Sequence, residues 1–245
     1  MRTHFIKEIK QMEDTHWWHR AKREIIASVI QKEIDKSKKK LRILEIGAGT
    51  SLLIKEFINS AETYALDRSK TALSLSKKNG IANTIHADLG TYTGFKKNFY
   101  DIVVAADVLE HLEDDLGAAK KIYQMLKKGG VFIIHVPAHK SLFSYWDESL
   151  GHFRRYEKKD LQKLIKSSGF NTSFLSFRLP TVYPFVRLFR KFSKETKQRR
   201  KSDFEQFSLL NFPLYLFTRV EDALIRRKSI NPPFGLSLFA IAKKK

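Results

Sequence analysis

The sequence predicts an α/β protein built on a seven-stranded, mostly parallel sheet. Seven short apolar runs are spaced along the chain, and helix-like periodicity separates most of them. Glycines follow the first run directly, and polar residues stand at or just beyond the ends of several runs. Strands that alternate with helices favour parallel pairing, right-handed crossovers and helices on both faces of the sheet.

The first unit reads as a strand, a glycine turn and a helix. The apolar run at residues 41–46 is typical of a strand buried on both faces. Gly47 and Gly49 follow it, and an apolar pattern at helical spacing begins at Leu52. Gly47 permits a sharp turn, and Gly49 permits a close approach between backbone and ligand. Such a unit presents N–H groups and a helix N-terminus to a ligand.

The residues around this turn indicate the kind of ligand. A dinucleotide fingerprint is excluded, because Leu52 stands where its third glycine would be. Glu45 would repel a pyrophosphate but suits a ligand with a positive group. Asp67 ends the next apolar run, the position of a carboxylate that binds ribose hydroxyls. A ribose-bearing cofactor with a cationic end indicates S-adenosylmethionine (SAM).

The remaining elements follow in chain order. Further strands are predicted at residues 61–67, 84–89, 100–106, 131–136, 172–177 and 235–242. Helices are predicted over 1–36, from the N-cap Ser69 through Lys78, and over 158–167. A further helix is predicted to run through Lys127, where Gly129 and Gly130 stop it. We therefore expect one domain, with a helical lid at 1–40, a core at 41–178 and 234–243, and a helical insertion at 179–233.

The N-terminal segment carries two adjacent tryptophans. Trp17 and Trp18 cannot both face one core stripe of a helix, so one is expected to pack while the other lines a cleft. Packing of both is the alternative. We expect residues 1–20 to act as a lid over that cleft.

Polar residues cluster where the predicted strands end, which is where ligands bind in open α/β sheets. They are Glu45, Asp67, Asp88, Asp107 and His111. Histidine near its free pKa suits a general base, and a structural histidine that caps the next helix is the alternative.

The predicted loop at 138–156 contains a second polar group. His152, Arg154, Arg155 and Tyr156 are candidate residues on the substrate side, together with Trp17. The arginines suit a phosphate or a carboxylate, and a salt-bridged loop is the alternative.

Composition limits the partners. The net charge is +20, from 46 Lys and Arg against 26 Asp and Glu, which favours nucleic acid or an acidic membrane surface over a merely lysine-rich solvated surface. No cysteine is present and no histidine pair has metalloprotease spacing, so we predict no metal. The N-terminus does not read as a signal peptide, and no apolar stretch reaches the roughly 20 residues of a spanning helix. We expect a cytoplasmic protein that at most lies on the inner face of the membrane.

Residues 45–51, Asp67, Asp88, 107–111 and 126–130 together resemble the class I SAM-dependent methyltransferases, which have a Rossmann-like sheet. The resemblance covers about 41–178 and is strongest to the small-molecule branch with the quinone-type methyltransferases. A narrower likeness, to a bacterial and archaeal group, adds the His-Trp-Trp motif, the Gly-His-Phe-Arg-Arg-Tyr motif at 151–156 and the ending at 233–238.

The resemblance implies SAM as cofactor and S-adenosylhomocysteine as product, and His111, by its position after the fourth strand, is the catalytic candidate. The implied cofactor-binding residues are Trp18, Arg23, Glu45, Gly47, Ala48, Gly49, Ser51, Asp67, Arg68, Asp88, Leu89, Ala106 and Asp107. Two positions depart from the family pattern, which usually has glycine at Ser51 and often cysteine at Ala48. Serine is a good helix cap, so we expect binding to survive.

Three functions stay open. The first is methyl transfer to a small or lipid-linked acceptor. The second is nucleic-acid methylation, disfavoured because no base-methylating N/D-P-P-Y/F tetrapeptide follows the fourth strand. The third is a non-catalytic SAM-binding interaction protein.

The insertion combines basic and aromatic residues. Residues 183–192 alternate them at helical spacing, 194–201 are mostly basic, and 204–217 are aromatic-rich. This composition is typical of a helix lying in a membrane interface. A hairpin packed on the domain and a homodimer interface are the alternatives.

Overall fold

The computed structural model describes residues 15–192 and 211–245. The first part of the predicted lid, the basic run at 194–201 and the aromatic residues at 204–210 lie outside these ranges.

The described residues form a seven-stranded sheet in the order β3-β2-β1-β4-β5-β7-β6. Its strands are β1 (Leu41–Ile46), β2 (Ala61–Asp67), β3 (Asn83–His86), β4 (Tyr100–Ala106), β5 (Leu126–Pro137), β6 (Asn171–Arg178) and β7 (Ser237–Lys243). Strands β1 to β5 pair in parallel, and β7 runs antiparallel to both of its neighbours. The predicted fold class is confirmed.

The sheet register brings the ends of three strands to one place. Ile46, the last residue of β1, pairs with Leu66 on one side and Ala105 on the other. The glycine turn after β1 therefore lies between the ends of β2 and β4. Asp67 and Asp107 are brought to the same edge although they are far apart in sequence.

Eight α-helices are described: α1 (Trp17–Lys36), α2 (Leu52–Lys55), α3 (Lys70–Lys78), α4 (Asp115–Met125), α5 (Tyr145–Leu150), α6 (Lys158–Ser167), α7 (Tyr183–Phe192) and α8 (Asn211–Arg226). Because strand side chains alternate between faces, each face of the sheet builds its own core. Helices α4 and α6 cover one face, where Leu44 and Val103 are buried. Helix α1 packs on the other face, against Ile43 and Val104.

Helix α1 is therefore part of the core along most of its length. Ile26 and Ile30 on this helix are 1% and 0% exposed. Its first turn instead contacts α8, where the Trp17 N–H donates to Asn211 Oδ1 (2.5 Å). None of the helices in the described ranges is long and apolar enough to cross a membrane.

Several predicted boundaries were wrong for identifiable reasons. Helix α4 ends at Met125 instead of reaching Lys127, because Leu126 is extended and pairs with Tyr100. The glycines at 129 and 130 thus lie within β5. Helix α2 has only four residues, β3 ends before Asp88, and the predicted loop at 138–156 contains α5 and a 3-10 turn at Lys140–Leu142.

The predicted caps had different outcomes. Ser69 caps α3 as expected, because its hydroxyl accepts from the Ala72 N–H (3.2 Å). Ser51 precedes α2 but makes no side-chain cap. Its backbone is left-handed, with φ of 58°, and its hydroxyl donates to Ser76 Oγ (2.8 Å). The glycine that the family usually has here fits that left-handed backbone better than serine does.

Candidate active site

Asp67 organises the glycine turn at the end of β2. Its Oδ2 accepts from the Gly49 N–H (3.0 Å), and its Oδ1 accepts from the Ser69 N–H (2.7 Å). Each carboxylate oxygen has a second lone pair, so both can still accept from a ribose hydroxyl. The side chain is partly exposed, and the site thus fits the ribose of SAM.

Gly47 is required by close packing. Its φ is +64°, and a Cβ on this residue would lie 2.6 Å from Val108 Cγ2. Val108 belongs to the turn that follows β4, so any larger residue would push this turn away from β1.

Other predicted cofactor residues line the same edge. Glu45, Ala48 and Leu89 are buried, Ala106 is half-buried and Arg68 is exposed. Asp88 is exposed, and its Oδ1 accepts from the Gly90 N–H (2.8 Å). Arg23, in contrast, lies on α1 and forms an ion pair with Glu56, which follows α2 (Nε to Oε1, 3.4 Å).

Asp107 stands just beyond β4 in a left-handed conformation, with φ of 57°. Its Oδ2 accepts from Lys22 Nζ (2.5 Å), and its Oδ1 lies 2.6 Å from His135 Nδ1. Burial alone would raise the pKa of Asp107, but the Lys22 ammonium and the hydrogen bonds from Lys22 and His135 hold that pKa well below its usual range. Asp107 is therefore a carboxylate at neutral pH.

His135 joins Asp107 to a buried ion pair. Arg178 Nη1 lies 3.1 Å from His135 Nε2, and Arg178 also binds both oxygens of Asp222 (2.7 and 2.5 Å). An arginine can only donate, so Nε2 accepts and Nδ1 carries the proton that His135 donates to Asp107. Burial lowers the pKa of His135, which keeps this ring neutral.

The two tryptophans have different surroundings. Trp17 is 0% exposed and packs with Tyr183, Tyr215 and Leu236. Trp18 is partly exposed and meets the His135 ring edge-on, with centroids 5.7 Å apart. Trp18 thus lies beside the site, whereas the buried Trp17 packs against the insertion and has no face open to a substrate.

Three of the predicted substrate-side residues are engaged within the protein. Arg155 is buried and donates to Asp147 Oδ1 (2.8 Å), and Tyr156 donates from the core to Asp115 Oδ2 (2.7 Å). Arg154 pairs with the same Asp115 (Nη1 to Oδ2, 3.0 Å). These contacts match the salt-bridged loop that was the alternative for the segment.

His111 and His152 are brought together across two segments. Their rings meet edge-on with centroids 4.6 Å apart. His111 Nδ1 lies 3.2 Å from the Gly151 carbonyl oxygen, which can only accept, so Nδ1 carries the proton and Nε2 keeps a lone pair. The pKa of His111 is lowered, mainly by burial of the ring and to a smaller extent by the neighbouring His152.

The family described as "Methyltransferase domain" matches residues 17–173, which is more than half of the chain. The chain belongs to this methyltransferase family. The match spans β1 to β5 and the site at their carboxyl ends, and S-adenosylmethionine is the methyl donor for this fold and family.

Known proteins resemble this methyltransferase over different lengths. The malonyl-[acyl-carrier protein] O-methyltransferase 1 of Ilyobacter polytropus is 24% identical and aligns over 71% of this chain and 72% of its own. A probable polyketide synthase 41 of Dictyostelium discoideum is 27% identical over 62% of this chain, which spans only 8% of the synthase. The structure of a SAM-dependent methyltransferase from Archaeoglobus fulgidus shares the fold, with a TM-score of 0.58 and 18% sequence identity. The superposition covers 97% of this chain and 99% of the other chain.

Sequence reasoning missed four residues of the hydrogen-bond network that holds Asp107 in the candidate site: Lys22, His135, Arg178 and Asp222. His135 did carry a signal, because it is a polar residue inside the apolar run of β5. Arg178 and Asp222 carried no comparable signal, since Arg178 directly follows the predicted strand at 172–177 and Asp222 stands beside Glu221 in the predicted insertion.

Proposed function

We propose that this methyltransferase moves the methyl group of SAM to an oxygen atom of a small or lipid-linked acceptor. The observation that carries the proposal is the placement of His111, with a free Nε2 lone pair, in the turn that follows Asp107 at the carboxyl end of β4. The Ilyobacter polytropus relative is named an O-methyltransferase, which supports an oxygen acceptor.

The residues of the chain would hold the two reactants in line. Asp67 would bind the ribose, and Gly47 and Gly49 would leave room for the methionine end of SAM. SAM supplies the methyl group, and S-adenosylhomocysteine is the product that leaves. Asp107, fixed by Lys22 and His135, would close the site below the sulfonium. Alignment of this kind can supply roughly 7–11 kcal/mol of the barrier.

His111 would remove the proton of the acceptor hydroxyl. General-base catalysis needs a neutral ring, and the lowered pKa of His111 keeps the ring neutral at pH 7. The direct test is incubation of lipid and small-molecule extracts with the protein and isotope-labelled SAM, followed by mass spectrometry. Absence of any labelled product, with SAM still bound in a calorimetric titration, would favour the non-catalytic alternative.

Changing His111 to Ala should lower turnover by about 10²–10⁴-fold. SAM affinity should stay the same, because the ring contacts the Gly151 segment and not the glycine turn. In the wild type, protonation removes the base, so the rate should fall only below the pKa of His111, which lies under its ordinary value of 6.5. A mutant with undiminished turnover would identify His111 as a structural residue.

A lipid-linked acceptor is favoured by the exposed faces of α7 and α8. Phe185 and Leu188 on α7 and Phe217 and Val220 on α8 are exposed, and Arg187 and Arg219 lie among them. Such faces suit a membrane interface, where each Lys or Arg near an anionic surface contributes about 1 kcal/mol.

The wild-type protein should float with anionic vesicles, and a variant with Phe185, Leu188 and Phe217 changed to Ser should not. The matched control is Ile58→Ser, an exposed apolar residue away from the insertion. Equal flotation of all three proteins, or none by the wild type, would leave a soluble acceptor as the proposal. Concentration-dependent sedimentation lost in the triple variant would instead assign these faces to a homodimer.

A further inference from the structure

Three potential metal ligands, one of them the proposed base His111, meet in the structure. One ligand atom from each of Glu110, His111 and His152 lies within 4.8 Å of the other two. Two hydrogen bonds tie the segments together: the Phe153 N–H donates to the Glu110 carbonyl oxygen (2.7 Å), and His111 Nδ1 contacts the Gly151 carbonyl oxygen (3.2 Å). The grouping is therefore built by the fold and does not depend on mobile side chains alone.

Both imidazoles are oriented in the way that metal-bound histidines are. His152 Nδ1 lies 2.9 Å from Asp147 Oδ1, and His111 Nδ1 contacts a backbone carbonyl oxygen. Asp147 Oδ1 also accepts from Arg155 Nε (2.8 Å), so this side chain is an acceptor toward His152 as well. A carboxylate or carbonyl on Nδ1 leaves the Nε2 lone pair of each ring for a metal.

Glu110 is unusual for a buried acid. Its side chain is 0% exposed, and neither carboxyl oxygen has a hydrogen-bond partner among residues 15–192 and 211–245. A buried carboxyl without partners is costly unless it is neutral or binds a cation.

We propose that Glu110, His111 and His152 bind one divalent transition-metal ion, of the zinc or iron(II) class, that activates the acceptor oxygen. Two histidines and one carboxylate are a recurrent ligand set for such ions and leave coordination positions open. Ligand atoms on tetrahedral zinc lie about 3.3 Å apart, given bonds of 2.0–2.1 Å, so the side chains would close by small rotations. The proposed ligands come from two distant segments, so the cysteine content and histidine spacing on which the prediction of no metal was based do not register them.

The catalytic part of this proposal rests on the proposed O-methylation, whereas the binding part does not. An acceptor hydroxyl bound to the ion would lose its proton to solvent more easily, because a metal lowers the pKa of a bound hydroxyl. The resulting oxyanion would form a bond to the methyl carbon as the carbon–sulfur bond breaks and its electron pair stays on sulfur. His111 would then assist deprotonation as a ligand and not as a free base.

The test is a titration of untagged, chelator-treated full-length protein with Co²⁺ and Zn²⁺, followed by calorimetry and by the visible absorption of Co²⁺. We expect one ion per chain. Glu110→Gln keeps the size of the side chain but cannot ionise to a carboxylate ligand, so it should weaken binding on the order of 100-fold. His86→Gln, an exposed histidine outside the cluster, is the matched control and should bind as the wild type does.

A parallel titration with SAM separates this proposal from the proposed function. SAM binding without binding of either ion would overturn the metal site and leave the methyltransferase proposal intact. Ion binding that survives in Glu110→Gln would also overturn it, because Glu110 would then be a neutral core acid. Ion binding in a protein that transfers no methyl group would support the site and count against the function.

Discussion

Changing Arg178 to Met should lower the free energy of unfolding by about 3–5 kcal/mol, because it leaves Asp222 as an unpaired buried charge. Arg178 and Asp222 are 1% and 5% exposed and are joined by two hydrogen bonds of 2.7 and 2.5 Å. The loss also removes the donor that fixes the His135 tautomer. Urea unfolding at pH 7 measures the effect.

Two further variants show whether the loss comes from the unpaired charge. The double variant Arg178→Met with Asp222→Leu should recover most of the stability, since replacing a whole buried pair by apolar residues is often neutral. Lys36→Met breaks an exposed pair with Glu33 (2.6 Å) and should cost less than about 1 kcal/mol. A similar small cost for Arg178→Met would contradict a buried, energetically coupled pair.

Changing Asp67 to Ala should weaken SAM binding by roughly ten- to a hundredfold while the fold survives. Hydrogen bonds to charged groups contribute about 1.5–3 kcal/mol, and Asp67 also holds the Gly49 N–H of the glycine turn. Calorimetric titration measures the affinity, and circular dichroism checks the fold. The control is Glu62→Gln, an acid on the same strand that pairs with Arg42 outside the site (3.1 Å).

A SAM analogue without ribose hydroxyls separates the two roles of Asp67. If the carboxylate binds the hydroxyls, the analogue should bind the wild type and Asp67→Ala with nearly equal affinity, apart from any cost of a loosened turn. Equal loss of affinity for SAM and for the analogue would restrict Asp67 to holding the turn. Unchanged affinity for SAM in a folded mutant would refute the placement of the cofactor.

Local patterns in the sequence were enough to predict the order of the elements and the edge of the sheet where the candidate site lies. Apolar runs and glycines are local signals, and parallel strands place their carboxyl ends together whatever the helices between them contain. Asp67 and Asp107 could therefore be assigned to one edge from their positions after β2 and β4.

Helix ends were less predictable than strands, because pairing with a neighbouring strand overrides a local stop signal. Leu126 joins β5 through its pairing with Tyr100, although the glycine pair three residues later suggested a longer helix. Ser51 likewise adopts a left-handed backbone that its preference for capping did not indicate.

Which polar residues meet depends on how the elements pack together. His135, Arg178 and Asp222 lie in three separate elements. Trp17 is likewise remote in sequence from the insertion helices that bury it. His111 approaches His152 because the turn after β4 and the segment before α6 are tied by backbone hydrogen bonds. Contacts of this kind depend on distances between remote segments, and those distances are set by how the sheet and its helices pack, which no local pattern of residues encodes.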